Sequence, residues 1–290
     1  MSLNNKSQSV LLIIGASFLN VINNNLQKYL ISSNVSGVLM FFYISAFGML
    51  VMLPVVFFKK NEIKMLFYNK KIALLNFLRG GVGLLGFLFW ISALDKVSIS
   101  QCVAISFTTP LFITLLASIF LKEKVSRMHW VLLFIGFIGT LTILRPTKNL
   151  NLYSFYPLFA SFLWACSALI LKIMSTNYSI SSAVFLPKFI KFLIALVVLI
   201  LFKDTEHYVL QESNLILGLV VISLINLAVV IMMAIAYRSV AISVVIPFDF
   251  TRLIFSAIMD YILYAELIGY MTAIGACLII ISSTCIYKRG

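Results

Sequence analysis

The sequence predicts an all-α polytopic membrane protein in which ten transmembrane helices form two inverted five-helix repeats. Three observations carry this. Hydrophobic residues make up 62% of the 290-residue chain and charged residues 11%, and the mean hydropathy is +1.09, well beyond the composition of soluble domains. Apolar runs long enough to cross about 30 Å of hydrocarbon recur along the whole chain, separated by short polar loops. The opening "ASFLNVINNNLQKYL" (Ala16 to Leu30) is also echoed by "ASFLWACSALILKIM" (Ala160 to Met174), which has the same first four letters and a lysine ten positions after the shared phenylalanine.

The spans fall near 10–31, 38–58, 72–94, 99–121, 129–144, 153–174, 183–202, 214–236, 242–264 and 268–287. The first reads as a resident helix rather than a secretory signal, because Asn20, Asn23, Asn24, Asn25 and Gln27 stud it and no small-residue cleavage pattern follows. An offset of 144 carries Ala16, Ser17, Phe18, Leu19 and Lys28 onto Ala160, Ser161, Phe162, Leu163 and Lys172. An offset of 143 carries "ALDKVSIS" (Ala93 to Ser100) onto "AYRSVAIS" (Ala236 to Ser243), and Glu123 onto Glu266. The expected units are therefore 1–144 and 153–290. An odd number of spans in each makes the second enter the membrane from the opposite side, the plan of secondary transporters that rock about a central site.

The formal net charge of +13 is explained by topology. With the amino terminus inside, the cytoplasmic segments collect Lys6, Lys59, Lys60, Lys64, Lys70, Lys71, Lys122, Lys124, Arg127, Arg238, Lys288 and Arg289, against Lys96, Arg145, Lys148 and Lys203 in the opposite loops. Both termini are expected in the cytoplasm. No basic stripe with interleaved aromatics lies outside the membrane, so a nucleic-acid partner is not expected. Cys102, Cys166, Cys277 and Cys285 lie within apolar runs without CxxC or Cys/His spacing, which indicates neither a disulfide framework nor a metal. No cofactor is expected.

The stretch from Arg79 to Ile143 carries an Arg-Gly start to the third span, an Ala-Leu just before the loop to the fourth, Pro110 within the fourth, Glu123 after it, and Trp130 ahead of a glycine-spaced fifth span. It resembles the repeat of the drug/metabolite transporter superfamily, EamA type, and both halves show the likeness. The second half departs from the pattern in that Pro247 stands further ahead of Glu266 than Pro110 does of Glu123, and no Arg matches Arg79. The resemblance implies ten helices, both termini inside, and a cavity between the halves. One subgroup of the superfamily takes up S-adenosylmethionine in intracellular bacteria. The Ile-, Lys-, Asn- and Phe-rich wording suits an AT-rich genome of that lifestyle, so S-adenosylmethionine is the expected substrate.

The intramembrane polar residues are the candidates for the site, because each is costly unless it faces a cavity or a partner. In the ninth span Asp249 and Arg252 are three residues apart and Asp260 returns to nearly the same face. Asp249 and Arg252 read either as an internal pair or as substrate ligands, and Asp260 is the candidate coupling residue. Asn20 and Asn24 lead the amide face of the first span, which serves a transport path or ties helices together. Arg79 can grip a carboxylate or snorkel to lipid phosphate. Lys188 and Lys191 share a helix face and repel unless an anion lies between them, and Lys172 reads as interfacial. Trp90 and Trp164 either pack against a planar solute or belong to a membrane belt. His129 and His207 lie in or next to loops, no Ser/His/Asp set shares a depth, and no nucleotide-binding loop occurs, so neither catalysis nor ATP-driven pumping is expected. The expected function is secondary transport of a small zwitterion or carboxylate across the bacterial inner membrane by a monomer or homodimer. Amino-acid or metabolite export is the first alternative, and a non-transport membrane protein such as a lipid-handling enzyme is the second.

Overall fold

The computed structural model describes residues 3–33, 35, 37–58, 70–94, 96–97, 99–145, 152–202, 213–264 and 269–289. The helices are α1 (Leu3–Ser32), α2 (Gly37–Phe58), α3 (Lys70–Leu94), α4 (Ile99–Ser106), α5 (Thr109–Phe120), α6 (Arg127–Leu144), α7 (Phe155–Asn177), α8 (Ile180–Phe202), α9 (Ser213–Ser239), α10 (Ile242–Val245), α11 (Thr251–Tyr264) and α12 (Tyr270–Arg289). Among the described residues nine helical stretches are long and apolar enough to cross a membrane, and a shorter apolar helix, Leu39–Pro54, makes the tenth. Leu11, Leu74, Ile200 and Ile262 are exposed around the bundle, as a surface solvated by lipid allows.

The spans pair as a duplicated unit requires. α1 lies along α9 and α3 along α7. α1 also meets α11 and α5 meets α7, while α2 packs on α9 and α3 on α8. Exchanging the halves turns the first member of each couple into the second. The α2–α8 and α6–α12 pairs map onto themselves.

The shared "ASFL" letters acquire a physical reason here. Phe18 meets Phe255 edge-on at 5.4 Å and 76°, and Phe162 meets Phe112 edge-on at 5.6 Å and 86°. Phe112 and Phe255 are themselves 143 apart. Ala16, Ser17, Ala160 and Ser161 are fully buried, since small side chains let the helices approach closely. On the same offset Phe107 and Phe250 correspond, and their rings lie 6.1 Å apart where the halves meet.

Two spans expected to run unbroken, 99–121 and 242–264, are interrupted. The fourth breaks between α4 and α5 at Phe107 and Thr108, and the ninth passes from α10 through a 3-10 turn, Ile246–Phe250, into α11. Pro110 opens α5 and Pro247 opens the 3-10 turn, each removing an amide donor. The carbonyl that Pro110 leaves without its helical donor, Ser106 O, accepts from Thr109 Oγ1 at 2.7 Å, and the hydroxyls beside the two breaks bond back likewise, Thr108 Oγ1 to Ile105 O at 2.7 Å and Thr251 Oγ1 to Phe248 O at 2.6 Å. Thr108 and Thr251 are again 143 apart, so the break belongs to the repeat although the prolines do not align. Irregular backbone at membrane depth is tolerated where protein surrounds it, and residues 242–250 are all buried.

α1 begins at Leu3 rather than near residue 10, because its polar first turns are tied to the end of α12. Lys6 Nζ donates to the Tyr287 carbonyl, and the Ser7 and Tyr287 hydroxyls are 2.7 Å apart. The start of α1 and the end of α12 therefore lie at the same end of the bundle.

Candidate functional site

A cavity of about 210 Å³ opens between α1, α2, α3, α7, α8 and α9. It reaches toward the end of the bundle where α1 turns into α2, since Gln27 and Met40 lie on either side of that turn and both line it.

Its centre is built around Pro187. A proline at this position in α8 cannot donate to the carbonyl four residues earlier, which is that of Ala183. Arg79 of α3 fills the vacancy, its Nη1 donating to Ala183 O. Arg79 is only 8% exposed and its Nε has no hydrogen-bond partner, so the guanidinium is held by one edge and retains donor capacity for a ligand. Lys188, also 8% exposed, donates from Nζ to Asn226 Oδ1 at 3.2 Å. Lys191 follows one turn later on the same face. Both lysine heads occupy notches left by missing side chains: a Cβ on Gly48 would lie 2.9 Å from Lys188 Nζ, and one on Gly83 would lie 3.0 Å from Lys191 Nζ.

Arg79, Lys188 and Lys191 all line the cavity, and among the described residues that line it none is Asp or Glu. The three cations are within electrostatic reach of one another. For two like charges about 6 Å apart, the separation of i, i+3 neighbours, repulsion amounts to about 3 kcal/mol at an effective dielectric of about 20. The arrangement stores a demand for negative charge.

The lining respects the repeat. On the 143 offset Phe41 corresponds to Val184, Ile44 to Pro187, Ser45 to Lys188, Gly83 to Asn226 and Phe87 to Val230, and both members of every couple line the cavity. The cavity therefore straddles the relation between the halves, where a site alternately exposed by rocking repeats belongs.

The expected site residues divide into groups. Arg79, Trp164 and Lys188 line the cavity, and Trp90 packs behind Trp164 with ring centroids 5.5 Å apart. Asp249 and Arg252 stand apart from it. Asp249, 8% exposed, accepts from Ser17 Oγ at 3.0 Å and lies 3.8 Å from Arg252, whose guanidinium covers the Phe107 ring at 4.7 Å. Tyr237, fully buried, lies within electrostatic reach of both Arg79 and Asp249. Asn20 is half-buried and Asn24 exposed, and neither lines the cavity; α1 reaches it through Gln27. Asp260 is half-buried near the end of α11, also outside the lining. Among the described residues no group of three or more His, Cys, Asp or Glu is arranged to hold a metal.

Two contributors went unrecognised in the sequence. Asn226 is a lone amide in the apolar run "LINLAVV", which was a readable signal. Lys172 is not merely interfacial, for its Nζ donates to the Tyr237 carbonyl and to Val240 O at 2.8 Å, holding the carbonyl end of α9. Glu123 completes that end: Oε1 accepts from the Ile242 amide at 2.9 Å, and Oε2 accepts from the Ser243 amide and hydroxyl at 3.0 and 2.6 Å. Its repeat counterpart Glu266 lies outside the described residues.

The profile of the EamA-like transporter family matches residues 7–145 and again 152–288. The chain belongs to this family. As an EamA-like transporter it is similar over most of its length to the S-adenosylmethionine uptake transporters of Rickettsia prowazekii and Rickettsia felis, at 26% and 27% identity over 261 residues, covering 89% of this chain and 85% of each relative. The riboflavin transporter of Vibrio cholerae is 38% identical over 109 residues, 37% of either chain. A crystal structure superposes with a TM-score of 0.79 over 99% of both chains at 14% identity, which shows the shared fold alone. The chain is thus a multi-pass membrane protein of a bacterial transporter family.

Proposed function

We propose that this EamA-like protein is a secondary transporter that binds a small polar organic metabolite, bearing a carboxylate or another anionic group, in the cavity between its two repeats. It resides in the bacterial inner membrane with both termini cytoplasmic, as a monomer or homodimer. The observation that carries the reading is Arg79 clasped to the Ala183 carbonyl freed by Pro187, with one guanidinium edge left for a ligand beside Lys188 and Lys191. A planar guanidinium and two ammonium groups match an anionic group. Because no acid lines the cavity among the described residues, binding there offers no described carboxylate for a proton to ride on, which favours solute exchange over obligatory proton coupling.

A second reading, S-adenosylmethionine uptake or exchange, is favoured by the names of the long-matching rickettsial relatives. Proteoliposomes test both. Vesicles preloaded with unlabelled S-adenosylmethionine, a dicarboxylate, an amino acid or a phosphate ester are given the labelled form outside, with and without an imposed pH gradient. The proposal expects faster uptake into loaded than empty vesicles for an anion-bearing solute, little response to the gradient, and loss of uptake in Arg79→Gln. Accumulation driven by the gradient and abolished by Asp260→Asn would overturn the exchange mechanism. Exchange of no solute in the panel would overturn the transport reading.

A further inference from the structure

Resting on the reading of the cavity as the transport site, we infer that the cavity selects solutes of net negative charge that carry a phosphate ester or a pair of carboxylates at one end and a flat ring at the other. The charge balance is one-sided. Arg79, Lys188 and Lys191 all line the cavity, and among the described residues no acid does. Lys188 finds only the neutral Asn226 amide oxygen as its hydrogen-bond partner, and Arg79 Nε finds none. Cations buried this deeply either lose a proton or meet an opposite charge, and among the described lining residues none supplies one, so a bound anion is what keeps all three charged.

The other end of the cavity is aromatic. Arg79, Gly83 and Phe87 stand at successive four-residue steps on one face of α3, which places Phe87 about 12 Å along the helix from Arg79. Phe87 stacks on Phe41 at 4.6 Å, and Trp164 faces the same space from α7. Such rings offer a face to a planar heterocycle. Gly83, midway, leaves the wall open between the two ends and gives Lys191 its place.

This geometry separates candidate solutes by charge. S-adenosylmethionine has one carboxylate but also an ammonium and a sulfonium, so it brings net positive charge to a cationic site. Riboflavin fits the aromatic end and leaves the cations unanswered, whereas a ring compound with a phosphate ester satisfies both ends. The phosphate of a lipid headgroup shares the anionic chemistry but has no ring to meet Phe41, Phe87 and Trp164.

The experiment uses matched pairs that differ by a single phosphate: riboflavin and its 5′-phosphate, and adenosine and its 5′-phosphate. S-adenosylmethionine is added as a cationic comparison. The purified full-length chain is placed in nanodiscs of zwitterionic lipid, and binding is read by flavin fluorescence and by thermal stability. Each phosphate ester is expected to bind at least roughly tenfold tighter than its parent. Lys191→Gln and Arg79→Gln should each weaken the ester roughly tenfold and leave the parent unchanged, with Arg79→Lys intermediate. If Arg79→Gln fails to fold, Lys191→Gln alone carries the comparison.

Equal affinity within each pair, tighter binding of S-adenosylmethionine than of the esters, or no saturable binding of any of the five compounds would overturn the inference. Nanodiscs containing phosphatidylglycerol separate the two sources of anion: an unchanged affinity for the esters supports a soluble solute, and their displacement by the lipid assigns the site to a headgroup and overturns the solute. Exchange of S-adenosylmethionine or riboflavin by wild type, with no exchange of either phosphate ester, would sink the anion preference and leave the transporter reading standing. Tight ester binding without exchange of any solute would do the reverse.

Discussion

Glu123→Gln is the perturbation whose consequence the structure sets out most directly. Glu123 follows α5, where Lys122 turns the chain with a φ of 55°, and its carboxylate accepts three hydrogen bonds from the start of α10. Gln keeps one acceptor oxygen and turns an amide NH₂ toward groups that are themselves donors, so at least one bond is lost and a donor faces a donor. Bonds to a charged acceptor contribute about 1.5–3 kcal/mol each and an N-cap about 1 kcal/mol. With a half-buried carboxylate the screened loss is about 2 kcal/mol, roughly thirtyfold in the closure of this end of the bundle. The first assay is thermal unfolding in detergent, where a drop of about 4–8 °C is expected. The second is alkylation of Cys placed at Ser239, in the turn that Glu123 and Lys172 hold from either side, on a background without the four native cysteines. Labelling should be faster in Glu123→Gln and should respond likewise to Lys172→Met. An unchanged melting temperature together with unchanged labelling would refute the claim that this carboxylate latches the two halves.

Gly275→Ala should destabilise by about 1–3 kcal/mol, because its new Cβ would lie 2.5 Å from both Gly139 O and Ile143 Cγ1 across the α6–α12 contact; Gly218→Ala, with Leu30 at 3.3 Å, is the tolerated control in the same thermal melt. Asp249→Leu strands the Ser17 hydroxyl and should cost about 1–3 kcal/mol, whereas Asp249→Asn retains an acceptor and should cost less than about 1 kcal/mol, as comparative melts will show. Arg252→Ala should harm exchange more than it harms abundance in the membrane, and restoration of both by Asp249→Asn with Arg252→Gln would instead make the pair structural. Reporters fused after Gly290 should be active in the cytoplasm, and activity confined to the periplasm would reverse the assigned topology.

The sequence revealed the features that repeat, and those are features of the fold. Ten apolar runs, the shared "ASFL" and the glycine-spaced fifth span each impose the same packing twice, so a single chain carries its own alignment. The breaks in the fourth and ninth spans were hidden because the prolines do not coincide. What the two breaks share is instead the pair Thr108 and Thr251, each donating to the carbonyl three residues back, and a threonine in an apolar run has no distinctive appearance. The site was legible only in part. Arg79 and Lys188 announced themselves by the cost of burying charge. The hydrophilic face of α1 pointed to Asn20 and Asn24, but helix rotation in the packed bundle brings Gln27 to the cavity, and no periodicity argument fixes rotation to within one residue.

The division between what repeats and what does not has a consequence for mechanism. Contacts that the halves would exchange in the proposed rocking are matched: Phe18 on Phe255 against Phe162 on Phe112, and Phe107 on Phe250 across the junction. The cavity occupies corresponding positions in both halves yet fills them with unlike side chains, serine against Lys188, glycine against Asn226, phenylalanine against Val230. Matched contacts allow two arrangements of similar energy, as alternation requires, while a chemically lopsided lining gives a solute one orientation in both. A carrier with a symmetric lining would bind an asymmetric metabolite in either of two poses. Here Arg79 has Ile222 as its counterpart, so the cationic end of the cavity is set by the first repeat's arginine and the second repeat's two lysines, and under the proposed alternating access a bound anion would meet the same cluster whichever face of the membrane is open.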